Sequence, residues 1–283
     1  MRHGRHWFSK AGLWFGLAFL YVPIVSMIVF SFNNSRLVTV WDAPNSPTLR
    51  WYGELFRNEQ ILGAAWLSIR IAAMSATGAV VLGTLAGLVL ARFGPFRGRA
   101  LLSGMTTAPL VMPEVITGLS LLLLFVSLEQ LIGWPAMRDA ATITIAHITF
   151  SMAYVTIVVQ SRLAGFDNSL EEAALDLGAR PAKVFFRITL PLIVPAIMSG
   201  WLLAFTLSWD DVVVSQFVAG PGSTTLPMVI FSKVRLGPSP DVNALATIMV
   251  LIVATGVVAS AFWMRRQERR REREMQMAAA ANK

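Results

Sequence analysis

Long apolar runs alternate with short polar segments along the whole of this chain. A helix needs about 20 mostly apolar residues to cross the hydrocarbon of a bilayer. Uncharged runs of that length extend from Ala11 to Phe32, Ile71 to Ala91, Ala140 to Ser161, Ile188 to Trp209 and Val242 to Met264. A further run, Ala100 to Leu128, is long enough but carries Glu114 near its middle. The pattern predicts an all-α polytopic membrane protein of six transmembrane helices, with residues 1–283 forming a single domain. Arg2, Arg5 and Lys10 precede the first run as they would in a signal peptide. That run exceeds the usual apolar core of such a peptide, and no small-residue cleavage site follows it, so it is expected to stay as an anchor.

Composition agrees with the pattern. Of the 283 residues 55% are hydrophobic and 14% charged, and the mean hydropathy is +0.60, far from a soluble domain. The basic residues then set an orientation. Arg92, Arg97 and Arg99 join the second and third runs, Arg162, Arg180, Lys183 and Arg187 join the fourth and fifth, and a basic stretch from Arg265 follows the last. Most of the 24 Lys and Arg therefore share one side with the N-terminal cluster, and the positive-inside rule places both termini and the 162–190 segment in the cytoplasm. The net charge of +8 is mainly this topology signal. Glu268, Glu272 and Glu274 interleave the terminal basic stretch, which suits a solvated helix end at an anionic lipid surface rather than nucleic acid. The outer segments 33–60 and 210–241 are rich in turn formers, among them Pro44, Pro47, Gly220, Pro221 and Gly222, and offer loops to an external partner. Cys is absent, so neither disulfides nor thiolate metal sites arise.

The segment with the most distinctive spacing reads Glu172-Ala173-Ala174, three residues, Gly178, nine residues, then Ile188-x-Leu190-Pro191. Ser169 and Glu172 form a capping box that starts a short helix. Ala173 and Ala174 keep that helix thin, and Gly178 stands where a left-handed cap is wanted. Pro181 suits the first turn of a second helix, which Pro191 is expected to reset. The result is a helix, glycine turn, helix finger whose small residues let a partner's groove come close. An ordinary capped loop helix is the plainer reading of the same residues.

Other chemistry is sparse. No Gly-Lys dipeptide occurs, so the phosphate-cradling P-loop is absent and ATP must be bound elsewhere. His147 stands alone in the fourth run, as an interhelical hydrogen-bonding residue does. The conspicuous intramembrane groups are carboxylates. Glu114 follows Pro113 and lies five residues after Pro109, where helical hydrogen bonding is broken and cavities tend to form. Asp210 and Asp211 close the fifth run, and adjacent acids repel unless a cation, an Arg or water offsets them. They read either as the lining of a path for a cationic solute or as structural partners, Glu114 to another helix and the aspartates as an interfacial cap. Trp209 and Tyr154 add aromatic faces suited to a cation.

The 162–190 spacing resembles the cytoplasmic "EAA" coupling loop of bacterial ABC-importer permeases. Leu207-Ser208-Trp209-Asp210-Asp211-Val212-Val213, Phe217-Val218-Ala219-Gly220-Pro221-Gly222, Thr225-Leu226-Pro227 and Val242-Asn243-Ala244-Leu245-Ala246-Thr247 are similar to the permeases of the spermidine and putrescine importers. So are Ser31-Phe32-Asn33-Asn34-Ser35, Arg50-Trp51-Tyr52 and Thr117-Gly118-Leu119-Ser120. The likeness covers nearly the whole chain and is strongest to the second permease subunit of the putrescine system. Trp209 stands where that family usually has an aliphatic residue. The resemblance implies a type I importer permease in the bacterial inner membrane, without catalytic residues, cofactor or metal of its own. It further implies a second, different permease subunit, two ATPase subunits carrying ATP and Mg, and a periplasmic polyamine-binding protein. The ATPases would dock on Glu172, Ala173, Ala174, Gly178, Ile188, Leu190 and Pro191. Two alternatives stay open. One is an ABC permease for another cationic or small solute. The other is a stand-alone secondary transporter, which would normally show inverted repeats, or an intramembrane hydrolase, for which His147 with Thr149 or Ser151 would have to supply base and nucleophile.

Overall fold

The computed structural model describes residues 3–36, 40–165, 167, 169–237 and 239–281. Arg2 of the N-terminal cluster and residues 37–39 of the first outer segment lie outside them. Two compact units are distinguished, residues 1–59 with 233–283 and residues 60–232. In the first, helices α1 (His3–Phe30) and α2 (Arg50–Leu55) both pack on the C-terminal helix α12 (Pro240–Ala281). The turn between α1 and α2 is organised by buried Asn33. Its Nδ2 donates to the Val40 carbonyl at 2.7 Å, its Oδ1 accepts the Asp42 amide at 2.9 Å, and its own carbonyl accepts Trp51 Nε1 at 2.6 Å. One side chain thus satisfies backbone groups that no regular element reaches.

The second unit holds α3 (Glu59–Arg92), α4 (Arg99–Val111), α5 (Glu114–Ile132), α6 (Ala140–Ala164), α7 (Ser169–Asp176) and α8 (Pro181–Val184). A single π-helical turn (Phe185–Thr189) leads from α8 to α9 (Leu190–Trp209), followed by α10 (Val213–Val218) and α11 (Leu226–Leu236), whose last residues belong to the other unit. Helix α6 is the hub, packing on α4, α5, α9 and α10. Two apolar clusters hold it. Ile71 of α3, Phe125 of α5, Ile143 of α6 and Val218 of α10 meet in one; Ala79 of α3, Val155 and Val159 of α6 and Ile193 of α9 meet in the other. Asp139 starts α6 with a full capping box, accepting the Ala141 and Thr142 amides while the Thr142 hydroxyl takes the Asp139 amide.

Among the described residues, five helical segments are long and apolar enough to cross a membrane: Trp7–Phe30, Glu59–Arg92, Glu114–Ile132, Ala140–Ala164 and Pro181–Trp209. Pro240–Gly256 is a shorter apolar stretch at the start of α12. Leu82, Leu85, Leu123, Leu124 and Leu202 are exposed on these helices, as expected of side chains that meet lipid.

The expected third span, 100–128, is not one helix. Met112 has φ −80° and ψ 134°, and Pro113 has φ −57° and ψ 138°, so two extended residues separate α4 from α5. A residue before proline is driven out of the helical region, and the proline ring cannot continue the preceding turn. The long apolar helix is therefore Glu114–Ile132, and Glu114 sits in its first turn rather than in the middle of a span. The expected reset at Pro191 is also absent. Leu190 donates its amide to the Phe185 carbonyl, five residues back, and the helix passes through this wider turn into α9 with Pro191 in its first turn. A π turn accommodates a ring that lacks an amide and crowds the carbonyl before it.

Helix α3 approaches α6 through glycine. A Cβ on Gly83 would stand 2.7 Å from Val155 Cβ and 2.8 Å from the Met152 carbonyl oxygen, whereas one on Gly63 of the same helix would meet nothing within 4 Å. Small residues of this kind let membrane helices approach closely. Gly83→Ala is expected to cost about 1–3 kcal/mol through overpacking. Thermal unfolding of the purified protein in detergent should show a lowered midpoint for Gly83→Ala but not for Gly63→Ala.

Candidate functional site

A cavity of about 260 Å³ opens where the helix breaks converge. Glu114 and Thr117 reach it from the start of α5, Pro109 and Met112 from the end of α4, Phe150 and Tyr154 from α6, and Asp210 and Asp211 from the segment joining α9 to α10. Glu114 and the Asp210–Asp211 pair, nearly a hundred residues apart in sequence, thus line one cavity, and among the described lining residues there is no Lys or Arg. Glu114 and Asp210 are exposed, Phe150 and Tyr154 half-buried. Trp209 does not line the cavity. Its ring continues a stack along α9, 6.2 Å from Phe205, which is itself 5.3 Å from Trp201.

Asp211 is built differently from its neighbour. Its side chain is only 5% exposed. Oδ1 accepts the Val214 amide at 3.2 Å and Oδ2 the Ser215 amide at 2.7 Å, so the carboxylate caps α10. Oδ2 also faces His147 Nε2 at 3.2 Å, and the Ser215 hydroxyl lies 3.1 Å from the same nitrogen. On the other side of the ring, His147 Nδ1 lies 2.6 Å from Ser208 Oγ, and Ser75 Oγ donates to that hydroxyl at 2.9 Å. A buried polar chain therefore runs from α3 through α9 and α6 to the start of α10. Ser208, His147 and Asp211 have the connectivity of a nucleophile, base and acid, yet Ser208 and His147 are buried and neither lines the cavity. Their geometry is that of a strut. Sequence spacing alone offered no link between His147 and residues some 60 positions away, and Phe150 had no local signature at all.

The finger from α7 to α9 has its glycine turn as expected. Gly178 has φ 82°, its amide donates to the Leu175 carbonyl, and the Ala179 amide donates to the Ala174 carbonyl. Pro181 opens α8. The capping box differs, however, because the Ser169 amide donates at 2.9 Å to Asp167 Oδ1 rather than to Glu172. That bond holds the exposed Asp167 carboxyl below the usual carboxylate range. Glu172 and Ala173 are exposed, whereas Ala174 is half-buried. Ile188 falls in the π turn, and Leu190 and Pro191 begin α9. The neighbouring Glu171 is the residue that ties the finger down. Its Oε1 accepts the Thr189 hydroxyl at 2.6 Å and pairs with Arg92 at 3.3 Å, joining α7 to the π turn and to the end of α3.

Residues 79–273 match the family described as "Binding-protein-dependent transport system inner membrane component". The chain is 57% identical over 265 residues to the putrescine transport system permease protein PotI of Escherichia coli, covering 93% of this chain and 92% of that one. It is 41% identical over 256 residues to the spermidine/putrescine transport system permease protein PotC of Haemophilus influenzae, covering 90% and 96%. Among solved structures it is similar in fold to a chain of a bacterial ABC transporter that imports the acidic polysaccharide alginate, with a TM-score of 0.68 at 16% identity, covering 92% of this chain and 98% of that one. A chain of the MetNI methionine ABC transporter follows it with a TM-score of 0.56 at 15% identity over 71% and 92%. The fold is the type I ABC-importer permease fold.

The Glu171 tether makes its own prediction. A partly buried pair with a second hydrogen bond is worth on the order of 1 kcal/mol, so Glu171→Ala should raise amide exchange across 169–178 by roughly fivefold. Glu172→Ala, on an exposed side chain, should leave it unchanged. Hydrogen–deuterium exchange of the two variants measures the difference.

Proposed function

The chain belongs to the family of binding-protein-dependent transport system inner membrane components, and from that premise we propose that it is the permease subunit of an ATP-driven polyamine importer, with putrescine as the foremost substrate. The observation that carries this reading is the cavity lining, which combines the carboxylates Glu114, Asp210 and Asp211 with the rings of Phe150 and Tyr154. An alkyl diammonium needs negative charge at both ends and tolerates aromatic faces along its stem and heads. The names of the curated relatives point to the same solutes. The chain itself is a transport subunit rather than an enzyme, and its place is in the bacterial inner membrane, crossing it several times.

A second permease subunit would complete the channel, and a periplasmic polyamine-binding protein would deliver substrate. Two ATPase subunits, holding ATP and Mg, would dock on the finger that carries Glu172, Ala173, Ala174, Gly178, Ile188, Leu190 and Pro191. Exposure of Glu172 and Ala173 on a finger pinned from behind through Glu171 supports that role, because a lever must be rigid at its base and open at its tip. Both termini would then face the cytoplasm, the side on which the basic residues accumulate.

Three measurements test the reading. Glu114→Gln and Asp210→Asn keep shape and remove charge, so putrescine uptake by reconstituted complex with saturating binding protein should fall at least roughly tenfold, since hydrogen bonds to charged groups are worth about 1.5–3 kcal/mol. Undiminished uptake per assembled complex in both variants would remove the cationic path. Gly178→Val forces a β-branched residue into a left-handed cap at a cost of about 1–2 kcal/mol, and should lower recovery of the ATPase with the membrane subunit roughly tenfold while the spans still insert. Normal recovery would separate the finger from docking. Finally, single Cys residues placed at Asn45 and Ser223 should react with an impermeant thiol reagent in intact cells, whereas those at Arg97 and Glu172 should react only after the membrane is opened. Labelling of the Glu172 position from outside would reverse the orientation.

A further inference from the structure

We propose that the adjacent aspartates divide the work: Asp210, with Glu114, contacts the ammonium ends of the substrate, whereas Asp211 is withheld from contact by His147, which acts as its positioning residue. This rests on the polyamine reading above and deepens it. A carboxylate offers about four lone-pair sites. Asp211 has given three of them, to the Val214 and Ser215 amides and to the His147 ring, and its side chain is 5% exposed. Asp210 and Glu114 are exposed on the same cavity.

The arrangement around His147 is directional. With the proton on Nε2, that N–H faces Asp211 Oδ2 at 3.2 Å and Ser215 Oγ at 3.1 Å, both at the start of α10, while Nδ1 accepts the Ser208 hydroxyl, which in turn accepts from Ser75. Each donor in the chain then points toward the carboxylate. The ring is 1% exposed and is further fixed by an edge contact with Phe150, 5.3 Å between centroids, and Phe150 itself lines the cavity. Asp211 therefore contributes charge to the cavity while its oxygens stay fixed. That distinction matters for a conduit, where a cation must be held firmly enough to enter and weakly enough to leave. Without the His147 ring, Asp211 keeps the Val214 and Ser215 amides but Oδ2 regains a free lone pair, a third ligand beside Asp210 and Glu114, and the dication would be retained.

The test is the ratio of putrescine delivered to ATP hydrolysed in the reconstituted, fully assembled importer with saturating binding protein. His147→Leu should lower this ratio at least roughly tenfold, because a hydrogen bond to a buried charge is lost, while ATP hydrolysis continues. His147→Gln retains an amide donor for Asp211 and should stay within about threefold of the parent. In the double variant His147→Leu/Asp211→Asn the freed charge is gone, so the loss should be smaller than in His147→Leu alone. Additive losses, or an unchanged ratio in His147→Leu, would overturn the proposal, as a purely structural His147 would alter yield and thermal stability but not the ratio. Should His147→Leu fail to assemble, Ser208→Ala removes the anchor on Nδ1 together with its link to Ser75, leaves the ring in place, and should lower the ratio about two- to fivefold; no change there would overturn it equally. A normal ratio in His147→Leu beside defective Glu114→Gln and Asp210→Asn rejects the division of labour alone, and normal uptake in all of them rejects the polyamine reading as well.

Discussion

The Asp211 carboxylate is the point on which the site depends. It caps α10 through two amides, meets α6 through His147, and reaches α9 and α3 through the Ser208 and Ser75 hydroxyls behind that ring. Helix α10 in turn packs on α5, where Val214 and Val218 join Leu121 and Phe125 in one apolar cluster, and a Cβ on Gly118 would stand 2.6 Å from the Phe217 ring. The position of Glu114 at the start of α5 is thereby linked, through packing, to a carboxylate almost a hundred residues later. In an apolar surrounding an isolated carboxylate is costly, and one held by several donors is not. The polar chain is what lets an acid stand at this depth.

The irregular backbone follows the same economy of position. The extended residue Met112 lines the cavity, as does the stretch from Asp210 to Val212. Non-helical backbone inside a membrane protein is tolerated where protein or a polar cavity surrounds it. Proline creates the first interruption and the Asp-Asp pair ends α9 at the second, so the breaks and the carboxylates arise together. At the other end of the unit the π turn before Pro191 serves a different purpose. It carries a continuous helix from the finger at Pro181 into α9, and Thr189 of that turn holds Glu171. A displacement of the finger would thus be transmitted into α9, whose far end carries Ser208, Asp210 and Asp211.

Family membership explains why the finger and the cavity occur in one chain, but the distant solved structures share only the fold, at 16% identity for the alginate transporter chain. A chain of a transporter involved in the import of an acidic polysaccharide and a chain whose cavity is lined by three carboxylates share one architecture. Function on this fold is set by which side chains reach the cavity, not by the arrangement of helices.

Much of this was legible in the sequence because it depends on local physics. Apolar runs of spanning length, the Lys and Arg bias, the glycine turn at Gly178 and the first-turn proline at Pro181 are properties of neighbouring residues, and proline at 113 marked a break beside Glu114. Local rules misjudged what the chain does around such marks. They ran the third span through Pro113, ended a helix at Pro191 that a π turn carries onward, and gave the Ser169 amide to Glu172 when Asp167 takes it. They also placed Trp209 beside the acids, although its ring stacks along α9. The union of Glu114 with Asp210 and Asp211, the strut of His147 and Ser208, and the tether of Glu171 to Arg92 and Thr189 were decided only by tertiary structure. Each joins residues from different helices, and the partner of a buried polar group is chosen by which helix faces pack together, a choice that no spacing along a single helix encodes.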